Sequence, residues 1–338
     1  MTDRVAAAVA SGDLDALVRL VDGLCSARDW DEVVRLRLRC RQALERGLQL
    51  WPAAEYADYR LALEAPAAYA GPVVRVGAGR FALGPLWEVA ASTRSWEVLS
   101  PHLPSGPARG MAAHERVVRG EDLGLEPAES TSVLDIPARL EPWEPAYPTA
   151  TYYSDRADFP APPAPAMTLE EMPGPGAEVE DEGSVEALLE LGRVWAEQSN
   201  GGCSATAVEG EAPAAIAALG HRRARVSEVG ADAALAWMCW AGASGGAYGR
   251  RPGTPAGRFA AWWAGASLAG LDWPPEPAAL GTALAGMQWL LWEPEGLAGG
   301  WAIHLAAHHP GEGLAWAVAA ADSHREDDPD RPQPGAAE

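Results

Sequence analysis

The run Trp301-Ala302-Ile303-His304-Leu305-Ala306-Ala307-His308, continued through Pro310-Gly311-Glu312-Gly313 into residues 314–321, decides the fold class. Trp301, Ile303, Leu305 and Ala307 alternate with Ala302, His304, Ala306 and His308, the period of a strand that sends successive side chains to opposite faces of a sheet. The Pro/Gly quartet reads as a turn, and Trp316 and Val318 then share one face of a second strand. With residues 288–292 upstream, the segment predicts a three-stranded antiparallel meander. Short strands are also expected at 203–208 and 224–229, and helices from Ser184, at 212–219, 232–244, 254–271 and 278–285. Thr254 supplies an N-cap and Pro255 a first helical residue. Residues 184–322 therefore read as an α+β domain whose small, mainly antiparallel sheet is covered by helices.

The N-terminal part reads differently. Between residues 13 and 50 the apolar positions Leu14, Leu17, Val18, Val21, Leu24, Val33, Leu36 and Leu44 fall at helical spacing, with Asp13 and Asp29 where N-caps belong. Further helices are expected after Trp51-Pro52 and at 83–91, 96–102 and 107–119. Residues 1–123 thus predict an α-helical hairpin array without a strict repeat period. Residues 124–183 are acidic and rich in proline. From 120 to 190 there are seventeen acids against two arginines, Arg139 and Arg156. Proline removes ladder donors and breaks helices, but Trp143, Tyr147, Tyr152, Tyr153 and Phe159 are too aromatic for a plain spacer. The expectation is an extended strap over 140–159 and a mobile acidic linker over 160–183, with a docking ligand for a partner groove as the alternative reading of its prolines. Residues 323–338 read as a disordered tail.

The whole chain is multi-domain by length, with 338 residues, a formal charge of −21, fifteen tryptophans and 26 basic residues, all arginine. Such an acidic balance argues against nucleic-acid backbone and anionic membrane surfaces as partners. Cys25, Cys40, Cys203 and Cys239 show no CxxC spacing, which is reduced, cytoplasmic usage. The longest uncharged run, 233–249, is too short and too weakly apolar to cross a bilayer.

Candidate sites are few. Gly77-Ala78-Gly79-Arg80-Phe81-Ala82, with Glu97 beyond, matches a dinucleotide fingerprint but lacks its strand–helix–strand frame, so it reads as a glycine loop between helices. On a strand His304 and His308 share a face roughly 13 Å apart, too far to share an ion, and an exposed sheet face is expected. His114 and Glu115 read as solvated or capping, and Arg109, Arg116 and Arg119 as a solvated helix face. Arg250, Arg251 and Arg258 beside the Gly-rich turn at 244–249 present the best local positive charge. They would hold a phosphate or carboxylate, or else pair with the chain's own carboxylates, those of the strap included. No cofactor or metal is expected.

Four stretches, Gly77-Ala78-Gly79-Arg80-Phe81-Ala82-Leu83-Gly84-Pro85, His114-Glu115-Arg116-Val117-Val118-Arg119-Gly120-Glu121-Asp122-Leu123, Pro142-Trp143-Glu144-Pro145-Ala146-Tyr147-Pro148 and Ala256-Gly257-Arg258-Phe259-Ala260-Ala261-Trp262-Trp263, resemble a functionally uncharacterised family of high-GC Gram-positive bacteria. The resemblance implies no activity. The residues themselves point first to a cytoplasmic protein-interaction or adaptor protein without catalytic activity, whose partner is another protein. The alternative is an enzyme or binding protein holding an anionic ligand at the Arg250/Arg251/Arg258 corner.

Overall fold

The computed structural model describes residues 4–123, 133–296 and 300–323. The N-terminal part is helical, through α1 (Arg4–Ser11), α2 (Leu14–Ser26), α3 (Trp30–Ala43), α4 (Trp51–Glu64), α5 (Ala67–Ala70), α6 (Leu86–Ser92), α7 (Trp96–Leu99) and α8 (Pro107–Val118). The Asp13 carboxylate accepts from Ala16 N at 3.0 Å and that of Asp29 from Glu32 N at 3.4 Å, so both expected caps satisfy first-turn donors. Helix α4 is the hub: Ala53, Ala54, Ala57, Leu61 and Ala62 are buried, and it packs on α2, α3 and α6. Its small residues let the neighbouring helices approach on several sides.

The C-terminal part is built on one six-stranded sheet. Strands β3 (Thr168–Glu171), β4 (Gly202–Glu209), β5 (Arg223–Val229), β6 (Gln288–Pro294), β7 (Trp301–His309) and β8 (Leu314–Asp322) run in the order β3-β5-β6-β7-β8-β4, every neighbouring pair antiparallel. β6, β7 and β8 form the expected meander, with Leu305 opposite both Leu291 and Val318. Helices α9 (Glu182–Glu190), α10 (Arg193–Gln198), α11 (Ala212–Ala218), α12 (Ala231–Ala243), α13 (Thr254–Leu268) and α14 (Pro277–Gly286) complete this part. Trp289, Leu291, Ile303, Leu305, Trp316 and Val318 bury one face of the sheet with α9, α12, α13 and α14, whereas Trp292, Ala306, Ala315 and Ala317 bury the other with α11.

The second face corrects the histidine expectation. His304 and His308 point to that side, but they are only 7% and 9% exposed. Helix α11 crosses it in the long connection from β4 to β5, and sequence periodicity gives no measure of such a cover. The Trp292 ring lies 4.7 Å from His304 and 4.9 Å from His221, and burial first, then the charge of His221, pushes the His304 imidazole down to about 4. His308 instead bonds Gln288 Oε1 at 3.0 Å.

The acidic linker expectation fails over part of its length. Thr168–Glu171 joins the sheet edge against β5, and Glu178 bridges Val208 at the opposite edge strand. Upstream, the strap is shared between two cores. Ala150 and Tyr152 belong to the helical core, Ile136 and Tyr147 to that of the α+β part. A two-residue hairpin, β1 (Thr151–Tyr152) with β2 (Ala157–Asp158), closes it. The expected tail lies outside the described residues apart from Ser323, as do residues 124–132 upstream of the strap.

Helices α12 and α13 pack tightly against each other. A Cβ on Gly257 would stand 2.1 Å from Cys239 O and 2.7 Å from Ala243 N, backbone atoms that cannot step aside. Gly257→Ala is expected to lower Tm by roughly 5–10 °C, because overpacking of this kind costs about 2–3 kcal/mol. Gly23→Ala, in α2 with open space around it, is expected to hold or raise Tm. Thermal unfolding of the two variants side by side checks both.

Candidate functional site

The turn before α13 projects Arg251, and the second turn of the helix carries Arg258. Neither faces solvent. Arg251 Nη2 donates to Glu88 Oε1 at 2.9 Å and Nε to Glu88 Oε2 at 3.1 Å, with the guanidinium 4.5 Å over the Phe159 ring. Glu88 belongs to α6 and is wholly buried. It also accepts from Tyr152 Oη at 2.8 Å, from Thr254 Oγ1 at 3.1 Å and from Thr254 N at 3.3 Å. Three regions of the chain, α6, the strap and α13, thus meet on one carboxylate placed at a helix N-terminus, where the peptide dipoles favour negative charge. Gly253, at φ 100°, permits the approach: a Cβ there would lie 2.4 Å from the Trp87 ring and 3.1 Å from Glu88 Oε2.

Arg258 makes the second lock. Its Nε donates to Glu144 Oε2 at 2.7 Å and its Nη2 to Glu144 Oε1 at 2.6 Å, while Nη1 and Nη2 reach Pro137 O and Arg139 O at 2.7 and 2.8 Å. Trp262 Nε1 and Tyr147 Oη donate to the same carboxylate at 2.9 and 2.7 Å. Nε and Nη2 of Arg251 and all three nitrogens of Arg258 are therefore committed to the chain's own carboxylates, carbonyls and the Thr254 hydroxyl. Arg250 is exposed, and its backbone N–H reaches Gln198 Oε1 at 3.4 Å. The three arginines do not converge on one open site.

A second buried acid stands behind the first lock. Glu115 of α8 is wholly buried; Arg119 Nε donates to its Oε1 at 2.7 Å, and its Oε2 has no hydrogen-bond partner. Burial first, and then the charge of Glu88, push the Glu115 carboxyl up to about 8 against the pull of Arg119. For Glu88 burial acts in the same upward direction, but the Arg251 charge and the bonds from Arg251, Tyr152 and Thr254 outweigh it and hold the carboxyl below its ordinary value. Two buried carboxyls are thus driven apart, one kept ionised and one kept protonated through neutral pH.

These residues also correct the helix-face reading. His114 and Glu115 are buried, and Arg116 and Arg119 are held by Glu121 and Glu115 at 2.6 and 2.7 Å. Glu88, Glu144 and Tyr152 escaped as site residues because the partners that lock them lie far along the chain, 163 residues away for Glu88 and Arg251 and 114 for Glu144 and Arg258. Only the four-residue spacing of Glu115 and Arg119 offered a local hint. Outside the locks, Arg119, Arg116, Ser92, Tyr147 and Thr149 line an open cleft of about 460 Å³ between α8 and the strap. Among the described residues no group of three or more His, Cys, Asp or Glu side chains is placed to hold a metal ion, and no helix is long and apolar enough to cross a membrane.

A family model described as a family of unknown function (DUF6183) matches residues 15–324. The chain belongs to DUF6183. The matched span takes in the helical part from α2 onward, both locks and the whole sheet, so the family unit is the two-part body and not one half of it. No curated protein and no solved structure matches the chain.

The protonation of Glu115 has a measurable consequence. Its folded value near 8 lies above the ordinary 4.5, so the folded state keeps a proton that the unfolded chain loses. Its contribution to stability is present below about pH 4.5 and declines as pH rises toward 8. Glu115→Gln removes that term. Its Tm is expected to fall less between pH 5 and pH 8.5 than that of the wild type and to exceed it at pH 8.5 by about 3 °C or more. Parallel Tm–pH curves contradict the assignment.

Proposed function

We propose that the protein is a non-catalytic interaction subunit that docks another protein through the surface around Trp51 and Phe81. The carrying observation is an aromatic pair left in water. The two rings lie 4.5 Å apart, with Trp51 36% and Phe81 68% exposed. The loop that carries Phe81 also presents Val76, 76% exposed, and Leu83. Large apolar side chains gathered on a surface are unfavourable in water and mark contact sites, at which aromatic residues carry much of the binding energy.

The loop is seated on α4, where Arg80 N donates to Glu55 Oε2 at 3.0 Å, and its Gly77 and Gly79 take φ of 77° and 70°. Its glycines therefore serve a turn that lifts Phe81 outward. Arg75 and Arg80 flank the apolar residues and are exposed, a local positive rim on a chain of charge −21. The partner this surface suits is a protein presenting apolar side chains in acidic surroundings. A reducing compartment, the cytoplasm, fits the four free cysteines; burial raises Cys25, Cys40 and Cys203 to about 11 and suppresses their thiolates.

Phe81→Ser tests the reading. Wild-type protein purified natively from its own cells is expected to carry a stoichiometric partner, released by Phe81→Ser and weakened by raising NaCl, while Tm changes by less than about 2 °C. A wild-type protein that runs as a lone monomer, or a variant that keeps the partner, refutes it.

A further inference from the structure

We propose that the cleft between α8 and the strap binds a small organic anion, a carboxylate or phosphate group on an apolar body. Among the described residues, the two charged ones that line it, Arg116 and Arg119, are cationic, and no carboxylate does. Each guanidinium is fixed from behind. Arg116 Nε reaches Glu121 Oε2 at 2.6 Å and its Nη1 reaches Ala91 O at 2.8 Å. Arg119 Nε and Nη2 reach Glu115 Oε1 and Ala150 O, both at 2.7 Å. Anchoring of this kind removes the rotamer entropy that a free arginine would lose on binding. It leaves Nη2 of Arg116 and Nη1 of Arg119 without an acceptor among the described residues, and neither is a buried unpartnered atom.

The charge around the cleft is unbalanced in the same direction. Glu121 answers Arg116, but its carboxylate also serves Trp96 N at 3.0 Å. Glu115, the acid behind Arg119, is held largely protonated at neutral pH by burial and by Glu88. Arg119 therefore has a hydrogen-bond partner without a full counter-ion, and an anion in the cleft supplies one. The Thr149 hydroxyl, with no hydrogen-bond partner among the described residues, adds a donor at the same wall.

The rest of the lining sets the body of the ligand. Val118, Leu140 and Ala146 are apolar, and the Tyr147 hydroxyl is committed to Glu144, so its ring is what remains to offer. A volume of about 460 Å³ suits a small molecule with a charged end and an apolar or aromatic remainder. This cleft shares no residue with the Trp51/Phe81 surface, and either assignment stands without the other.

Phenyl phosphate and phenylacetate are the test anions, phenylacetamide the uncharged control and inorganic phosphate the control without an apolar body, each titrated into the full chain by calorimetry. At least one aromatic anion is expected to bind with Kd below about 1 mM, and the stronger of the two names the preferred group. Phenylacetamide is expected not to bind, and inorganic phosphate to bind at least about tenfold more weakly than the preferred anion. Arg116→Gln is expected to weaken the anion about tenfold or more. Ala146→Trp, which fills the cleft and leaves both arginines in place, is expected to abolish binding, so a folding defect in either variant leaves the other to decide. No binding by either aromatic anion, binding that survives both variants, or inorganic phosphate binding as tightly as phenyl phosphate overturns the proposal.

Discussion

Glu88 carries a full charge with no exposed surface, a state that is costly in a protein interior unless every oxygen lone pair is answered. Here Arg251, Tyr152 and Thr254 answer it from two other regions of the chain, and the N-terminus of α13 adds its dipole. The constraint runs both ways. Arg251 ties helix α6 to the turn before α13, and Tyr152 ties the strap to the same carboxylate. Glu144 and Arg258 repeat the arrangement one side over, tying the strap to α13 a second time. The helical array, strap and α+β part are consequently one body, although their hydrophobic cores are separate.

That organisation explains which features were legible in the sequence. The meander from β6 to β8 was readable because each strand shows one face to a thick helical layer, so the large residues at 301, 303, 305, 316 and 318 keep a two-residue period. Helix caps at Asp13 and Asp29 were readable because capping is local chemistry. β3 was not: four residues, Thr168-Leu169-Glu170-Glu171, all exposed and set in a proline-rich acidic run, carry no burial pattern. Their strand state comes from the free edge of β5, a tertiary fact.

The locks were half legible: pairing of Arg251 and Arg258 with the chain's own carboxylates, the strap's included, was one of the two expectations, but which carboxylates they meet was not. An arginine in a Gly-rich turn looks the same whether it meets a ligand, solvent or Glu88. Arg250 and Arg251 are adjacent in sequence, yet one is exposed and the other is among the most tightly bonded groups in the chain. Arg116 and Arg119 show the converse. They looked like a solvated helix face and proved to be anchored from behind, which leaves the cleft that they line with a positive wall. A chain of charge −21 that commits Arg251 and Arg258 to internal carboxylates leaves little positive surface. The Phe81 loop and this cleft both keep some, and the functional readings concentrate there.

The dependence on Glu88 and Arg251 is tested most directly by a double-mutant cycle, with Glu88→Met, Arg251→Met and the double variant compared by urea unfolding. Each single change strands a charge or a set of donors in the interior, whereas the double change removes both together. The two single losses, about 3 kcal/mol or more each, are expected to exceed the loss in the double variant when summed, with a coupling of at least about 2 kcal/mol. Additivity within about 0.5 kcal/mol would mean that the pair does not hold the two parts together.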